Sequence, residues 1–170
     1  MNSHGIMREI GIDAGHRIPN HGSKCRSVHG HRYTIQAYCK GPLEPEGSSE
    51  GMVLDFGFLK EEMMSEIDTP CDHGLIMWWH DRFTPWLMGL DHGEGASTFR
   101  AMDKTKPQNV NGLLGKLYLV PFVPTAENLA RHWFERLAPK VLSRSGHRAT
   151  LVRVRVGETP NCWASYPEEQ

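Results

Sequence analysis

The chain has 170 residues, 39% apolar and 23% charged, with a formal net charge of −1, which suits a single domain over residues 1–170 with a real core. No basic stripe marks a nucleic-acid binder, and no apolar run approaches the roughly 20 residues that span a bilayer. Residues 1–10 hold no apolar core of a secretory signal, and the four cysteines form no CxxC pair, so reduced thiols and a cytoplasmic location are expected.

The first strand is predicted over about Ile6 to His16, with Ile10, Ile12, Ala14 and His16 on one face at period two. A turn-rich stretch, residues 19–24, leads to a second strand over about His29 to Cys39. There His29, His31, Tyr33, Ile35 and Ala37 share a face. Paired as a hairpin, the two strands would bring His16 toward His29 and His31. Residues 41–51 read as a loop, and Met52 to Leu54 as a short strand. Asp55 is placed to cap a helix whose stripe is Phe56, Leu59, Met63 and Ile67, ended by Thr69-Pro70. Residues 78–112 read as a long excursion with three nearby tryptophans, Trp78, Trp79 and Trp86, and a short helix near 83–90. A strand follows within 114–123. The clearest element is the helix after Thr125, where Leu129, Ala130, Trp133, Phe134, Leu137 and Val141 recur at helical spacing. A last strand, Leu151 to Gly157, alternates valine with arginine, and a short strand around 163–166 closes the chain. The order predicts an α+β fold, an antiparallel sheet with two helices on one face.

Ten histidines are many for this length. His29 and His31, two apart on a strand, point the same way, and His16 sits in phase on the neighbouring strand. Three convergent imidazoles with an open fourth position are the donor set of a catalytic zinc site. The ordinary alternative is three strand histidines that bind nothing. Cys25 lies in a polar loop between Lys24 and Arg26, where positive charge favours the thiolate; a reactive role and a role as fourth metal ligand both stay open. Asp72 and His73 form a candidate acid–base pair, since a carboxylate raises imidazole basicity and fixes its tautomer; an ordinary turn is the competing reading. Glu158, at the end of a buried row, could bind the planar donor edge of a pterin or guanine; a solvated strand end is the ordinary reading. Thr125 is sufficiently explained as a helix cap. His21, His80, His92, His132 and His147 read as ordinary side chains.

Seven segments occur together in one order: Ala14 to Arg17, Cys25 to Tyr33, Gly51 to Phe56, Leu59-Lys60, Asp72 to Leu75, Pro124 to Asn128, and Val156 to Thr159. In these segments the chain resembles the 6-pyruvoyl-tetrahydropterin synthase family. The short gap from Cys25 to His29-Gly30-His31 looks like its carboxy-tetrahydropterin branch rather than the 6-pyruvoyl branch. The resemblance implies the tunnelling fold, a four-stranded antiparallel sheet with two helices on one face. It also implies assembly as a homo-oligomer, a hexamer built as a dimer of trimers with sites at subunit interfaces. The implied substrate is a reduced pterin triphosphate. 7,8-Dihydroneopterin triphosphate would become 6-carboxy-5,6,7,8-tetrahydropterin, releasing acetaldehyde and triphosphate, on the way to 7-deazaguanine and queuosine. His16, His29 and His31 match the zinc ligands, Cys25 the catalytic cysteine, and Asp72 and His73 its acid–base partners. Glu158 matches the pterin-anchoring glutamate, and Thr125 a pterin contact. The competing expectations are a 6-pyruvoyl product, or a non-catalytic protein in which Cys25 closes a four-ligand zinc site. Residues 78–112 look longer than the family norm.

Overall fold

The computed structural model describes residues 3–168. Its seven strands are β1 (His4–His16), β2 (His29–Gly41), β3 (Gly74–Trp78), β4 (Gln108–Gly112), β5 (Gly115–Val120), β6 (Thr150–Thr159) and β7 (Cys162–Tyr166). The helices are α1 (Phe56–Met63), α2 (Thr69–Cys71), α3 (Thr84–Leu87), α4 (Gly93–Ala101) and α5 (Ala126–Arg144). The fold is α+β as expected, but the sheet corrects the expectation in two ways. It has seven strands rather than four, in the order β4-β5-β3-β1-β2-β6-β7, and the β1–β3 and β3–β5 pairs are parallel. The described residues divide into two compact units, 3–11, 32–69 and 126–168 in one, and 12–31 and 70–125 in the other. The long strands β1 and β2 each contribute to both.

In the first unit β2 pairs antiparallel with β6, and β6 with β7. Tyr33, Ile35, Ala37 and Cys39 of β2 and Val154 and Val156 of β6 are buried, so the period-two pattern fixes which face turns inward. Val152 breaks that row, being 40% exposed. Helix α5 lies against β6 and β7 and buries Leu129, Ala130, Trp133, Leu137 and Val141. The Asp55 side chain caps α1, accepting the Gly57 N–H at 2.6 Å. Leu59, Met63 and Ile67 are buried as predicted, whereas Phe56 is exposed. Thr69-Pro70 does not end this helical run. It widens into a π-helical turn over Met64–Asp68, and α2 follows directly. Met52 to Leu54 form no strand. Lys140 of α5 reaches Glu62 at 2.7 Å and Glu66 at 2.8 Å, pinning the two helical segments together.

In the second unit β3 lies between the end of β1 and β5, and β4 and β5 form a hairpin. Here the predicted excursion is largely ordered structure: α3, α4 and β4 all fall within it. Its core is Met77, Trp79, Leu87, Leu117 and Leu119, flanked by Met88, Phe99 and Val110. The Trp79 indole donates to the Lys106 carbonyl at 2.9 Å. At Gly112 a Cβ would lie 2.3 Å from the Leu87 carbonyl oxygen, so only glycine lets the hairpin close on α3.

Candidate metal centre

His16 ends β1 and His29 and His31 begin β2, and all three fall in the second unit. Gly15 permits their approach. A Cβ there would meet the Leu75 side chain at 2.5 Å and the His29 carbonyl oxygen at 3.3 Å. The three rings gather with centroids 4.5, 5.2 and 5.0 Å apart. One nitrogen from each lies within 4.8 Å of the others, and among the described residues this is the group that could hold a metal ion. Cys25 stands outside it.

Two backbone carbonyls set the ring tautomers. His16 Nδ1 lies 2.8 Å from the Pro124 oxygen and His29 Nδ1 lies 2.8 Å from the Ser27 oxygen. A carbonyl only accepts, so each Nδ1 must carry the proton and donate it. Both Nε2 atoms then present lone pairs, and these face each other at 3.1 Å. Two lone pairs that close repel unless a cation lies between them. Zinc–nitrogen bonds of about 2.0–2.1 Å put tetrahedral ligand nitrogens roughly 3.3 Å apart, so the donor set fits such an ion with little movement. Protonation is a poor alternative at His16, which is 2% exposed. Burial above all, with the neighbouring imidazoles, outweighs the Pro124 hydrogen bond and lowers its pKa to about 4. Burial and His29 lower His31 too. Neutral imidazoles are the form a metal binds.

Cys25 sits half-buried in a short 3-10 turn, Lys24–Arg26, whose Cys25 carbonyl accepts the Ile18 N–H at 2.9 Å. Asp72 and His73 follow α2 and hold the backbone of β1 from both sides. Asp13 donates its N–H to Asp72 Oδ1 at 2.8 Å, and His73 donates its N–H to the Asp13 carbonyl at 2.7 Å. His73 Nδ1 then reaches Asp72 Oδ2 at 2.7 Å. The Asp13 N–H first, and His73 after it, hold the Asp72 carboxyl below its usual range. The peptide at His73 is left-handed, with φ +54°, a conformation uncommon outside glycine and held here by this bracket of bonds. Lys116 of β5 donates to the Asp72 carbonyl at 2.7 Å.

Thr125 follows Pro124, the residue whose carbonyl orients His16, and it precedes α5. Glu158 lies on β6 in the first unit, where the β6–β7 register shifts between Gly157 and Thr159. The orienting carbonyls of Ser27 and Pro124, and the brackets from Asp13 and Lys116, carry no sequence signal, because backbone groups are common to every residue and Lys116 is 44 residues from its partner.

The sequence profile of the 6-pyruvoyl tetrahydropterin synthase family matches residues 5–169. A 6-carboxy-5,6,7,8-tetrahydropterin synthase of Rickettsia felis is 32% identical over 157 residues, 92% of this chain and 94% of that protein. The protein of the same name from Haemophilus influenzae is 29% identical over 96% of this chain and 98% of its own. Among solved structures, an uncharacterized protein of Wolinella succinogenes superposes with a TM-score of 0.72 at 20% identity, covering 99% of this chain and all of that one. The 6-pyruvoyl tetrahydropterin synthase of Caenorhabditis elegans gives 0.60 at 24% identity, over 99% and 98% of the two chains. These likenesses bear out the tunnelling architecture with its α+β composition. By profile, by relatives along nearly its whole length and by fold, the chain belongs to the 6-pyruvoyl tetrahydropterin synthase family.

Proposed function

We propose that this chain converts 7,8-dihydroneopterin triphosphate to 6-carboxy-5,6,7,8-tetrahydropterin, releasing acetaldehyde and triphosphate, with zinc on His16, His29 and His31. The observation that carries the reading is the pair of carbonyl-oriented imidazoles whose lone pairs converge at 3.1 Å. The relatives at about 30% identity are named for this product, which favours it over the 6-pyruvoyl alternative. Zinc bound there polarises substrate oxygens and acidifies the O–H and C–H bonds beside them.

The chain's own groups do the rest. Cys25 takes protons from the substrate side chain as a general base. His73, with its Nδ1 proton pointed at Asp72, offers Nε2 as the second acid–base group. Lowered by its hydrogen bonds, Asp72 stays ionised and fixes the orientation of the His73 ring through Nδ1. Glu158 takes the amino and N–H edge of the pterin, and Thr125 contacts the same ring. The product is a precursor of 7-deazaguanine and queuosine. The working form is a cytoplasmic homo-oligomer, a hexamer assembled as a dimer of trimers, by analogy with the family. Among the described residues no helix is long and apolar enough to cross a membrane. A closed site with Cys25 as fourth ligand is disfavoured because Cys25 lies outside the imidazole cluster.

Mass spectrometry of the product tests this reading. Zinc-loaded protein given 7,8-dihydroneopterin triphosphate should yield 6-carboxy-tetrahydropterin, and Cys25→Ala should yield none. A 6-pyruvoyl product would move the chain to the other branch, and no turnover would refute the proposed reaction.

A further inference from the structure

The second unit holds a cavity of about 630 Å³ that the proposed chemistry does not use. Three arginines line it: Arg17, next to the metal ligand His16; Arg26, next to Cys25; and Arg82, from the segment after β3. Asn20, Ser27, His80 and Asp81 add to the polar wall. Asp81 is the one carboxylate in the lining, so with His80 neutral the formal charge is three minus one, or +2.

That carboxylate is already committed. Its side chain is 1% exposed and that of Arg17 is 6%. Arg17 Nη1 donates to Oδ1 at 3.3 Å, Nε lies 3.3 Å from Oδ2, and the Phe83 N–H donates to Oδ1 at 2.9 Å. Arg26 and Arg82, by contrast, are exposed, and among the described residues neither has a carboxylate partner. The Phe83 ring gathers the charges further: the guanidinium carbons of Arg17 and Arg82 both lie 4.7 Å from its centroid. Cation–π attraction thus holds two like charges on one ring, and their repulsion is relieved when an anion enters. Guanidinium forks match phosphoryl oxygens in plane and spacing, and the volume suits a small ligand.

We propose that this cavity binds a polyphosphate, with Arg26 and Arg82 holding phosphoryl oxygens and the Arg17–Asp81 pair forming a fixed wall. That the polyphosphate is the triphosphate arm of the pterin rests on the function proposed above; the anion site itself does not. Residues 80–83 belong to the stretch that reads as an excursion in sequence, which gives that stretch a part in substrate binding.

Calorimetric titration of the zinc-loaded protein with inorganic tripolyphosphate tests the site. His29→Ala protein serves as the control for chelation at the metal and should retain the binding. The native chain should bind tripolyphosphate at least tenfold more tightly than orthophosphate. Arg26→Ala and Arg82→Ala, both at exposed positions, should each weaken it roughly tenfold to a hundredfold, and Arg82→Lys less. Equal affinity in the native chain and both alanine variants would overturn the proposal, and so would loss of all binding in His29→Ala. Steady-state kinetics separates the ligand's source. A raised KM for the pterin triphosphate with kcat kept in Arg82→Ala assigns the site to the substrate's arm. Weakened tripolyphosphate binding with an unchanged KM leaves a polyphosphate site and removes that assignment. If the native chain binds tripolyphosphate but turns over no pterin, the site stands and the proposed reaction falls.

Discussion

Acidification should unfold this protein partly through one histidine far in sequence from the His16, His29 and His31 cluster. His132 lies in α5 and is 8% exposed. Burial first, then Arg136, lowers its pKa from 6.5 to about 4, although Glu135 and Glu66 pull the other way. The unfolded chain takes up a proton near pH 6.5 while the folded chain refuses it until about pH 4. Its contribution is therefore complete above the unfolded pKa and is lost as pH falls through the window between the two values. Integrated over that window, the loss is about 2 kcal/mol between pH 7 and pH 5 and about 3 kcal/mol by pH 4. Urea unfolding of the zinc-loaded native protein and of His132→Leu, at fixed protein concentration and stepped pH, reads it. The leucine variant should show a shallower fall in stability with acid, whatever its stability at pH 7, because a packing change shifts the curve without tilting it. Parallel curves for the two proteins would refute the reasoning.

Asp72→Asn should lower kcat roughly tenfold to a hundredfold, because a hydrogen bond to a charged acceptor, worth about 1.5–3 kcal/mol, no longer fixes His73; steady-state rates check it, and a native kcat would count against the pair. Asp81→Ala strands the buried Arg17 guanidinium. Its two 3.3 Å contacts are long for a bidentate fork, so the loss should fall at the low end for a broken buried pair, about 3 kcal/mol by urea unfolding, with Arg17→Met plus Asp81→Leu recovering most of it.

What the sequence revealed, it revealed through periodicity. His16, His29 and His31 stand in phase with Ile12, Ala14, Tyr33 and Ile35, so the buried face of each strand carries its histidines to one place. The same holds for α5, where the apolar stripe outruns any ambiguity, and for Asp55, whose capping role is local. Long-range pairing left no such trace. The parallel register of Ala14 against Gly74 joins residues 60 apart in sequence, and nothing in β3 announces its partner. Helix α4 buries no residue and contains Gly93 and Gly95, so neither stripe nor propensity marks it. Phe99, seated against Trp79 at 6.1 Å, ties it to the core. Pro70 reads as a stop, yet it is buried in α2 after a π-helical turn. The Arg17–Asp81 pair, 64 residues apart, was illegible for the same reason as the β1–β3 register.

The proposed pterin reaction runs on a metal held by His16, His29 and His31. Titrating metal-depleted protein with zinc while following 6-carboxy-tetrahydropterin formation tests it most directly. Turnover should rise in proportion to zinc and level off at one ion per chain, and His29→Ala should give no such rise. Product formed at the full rate without metal, or a zinc response that survives the loss of His29, would contradict the account.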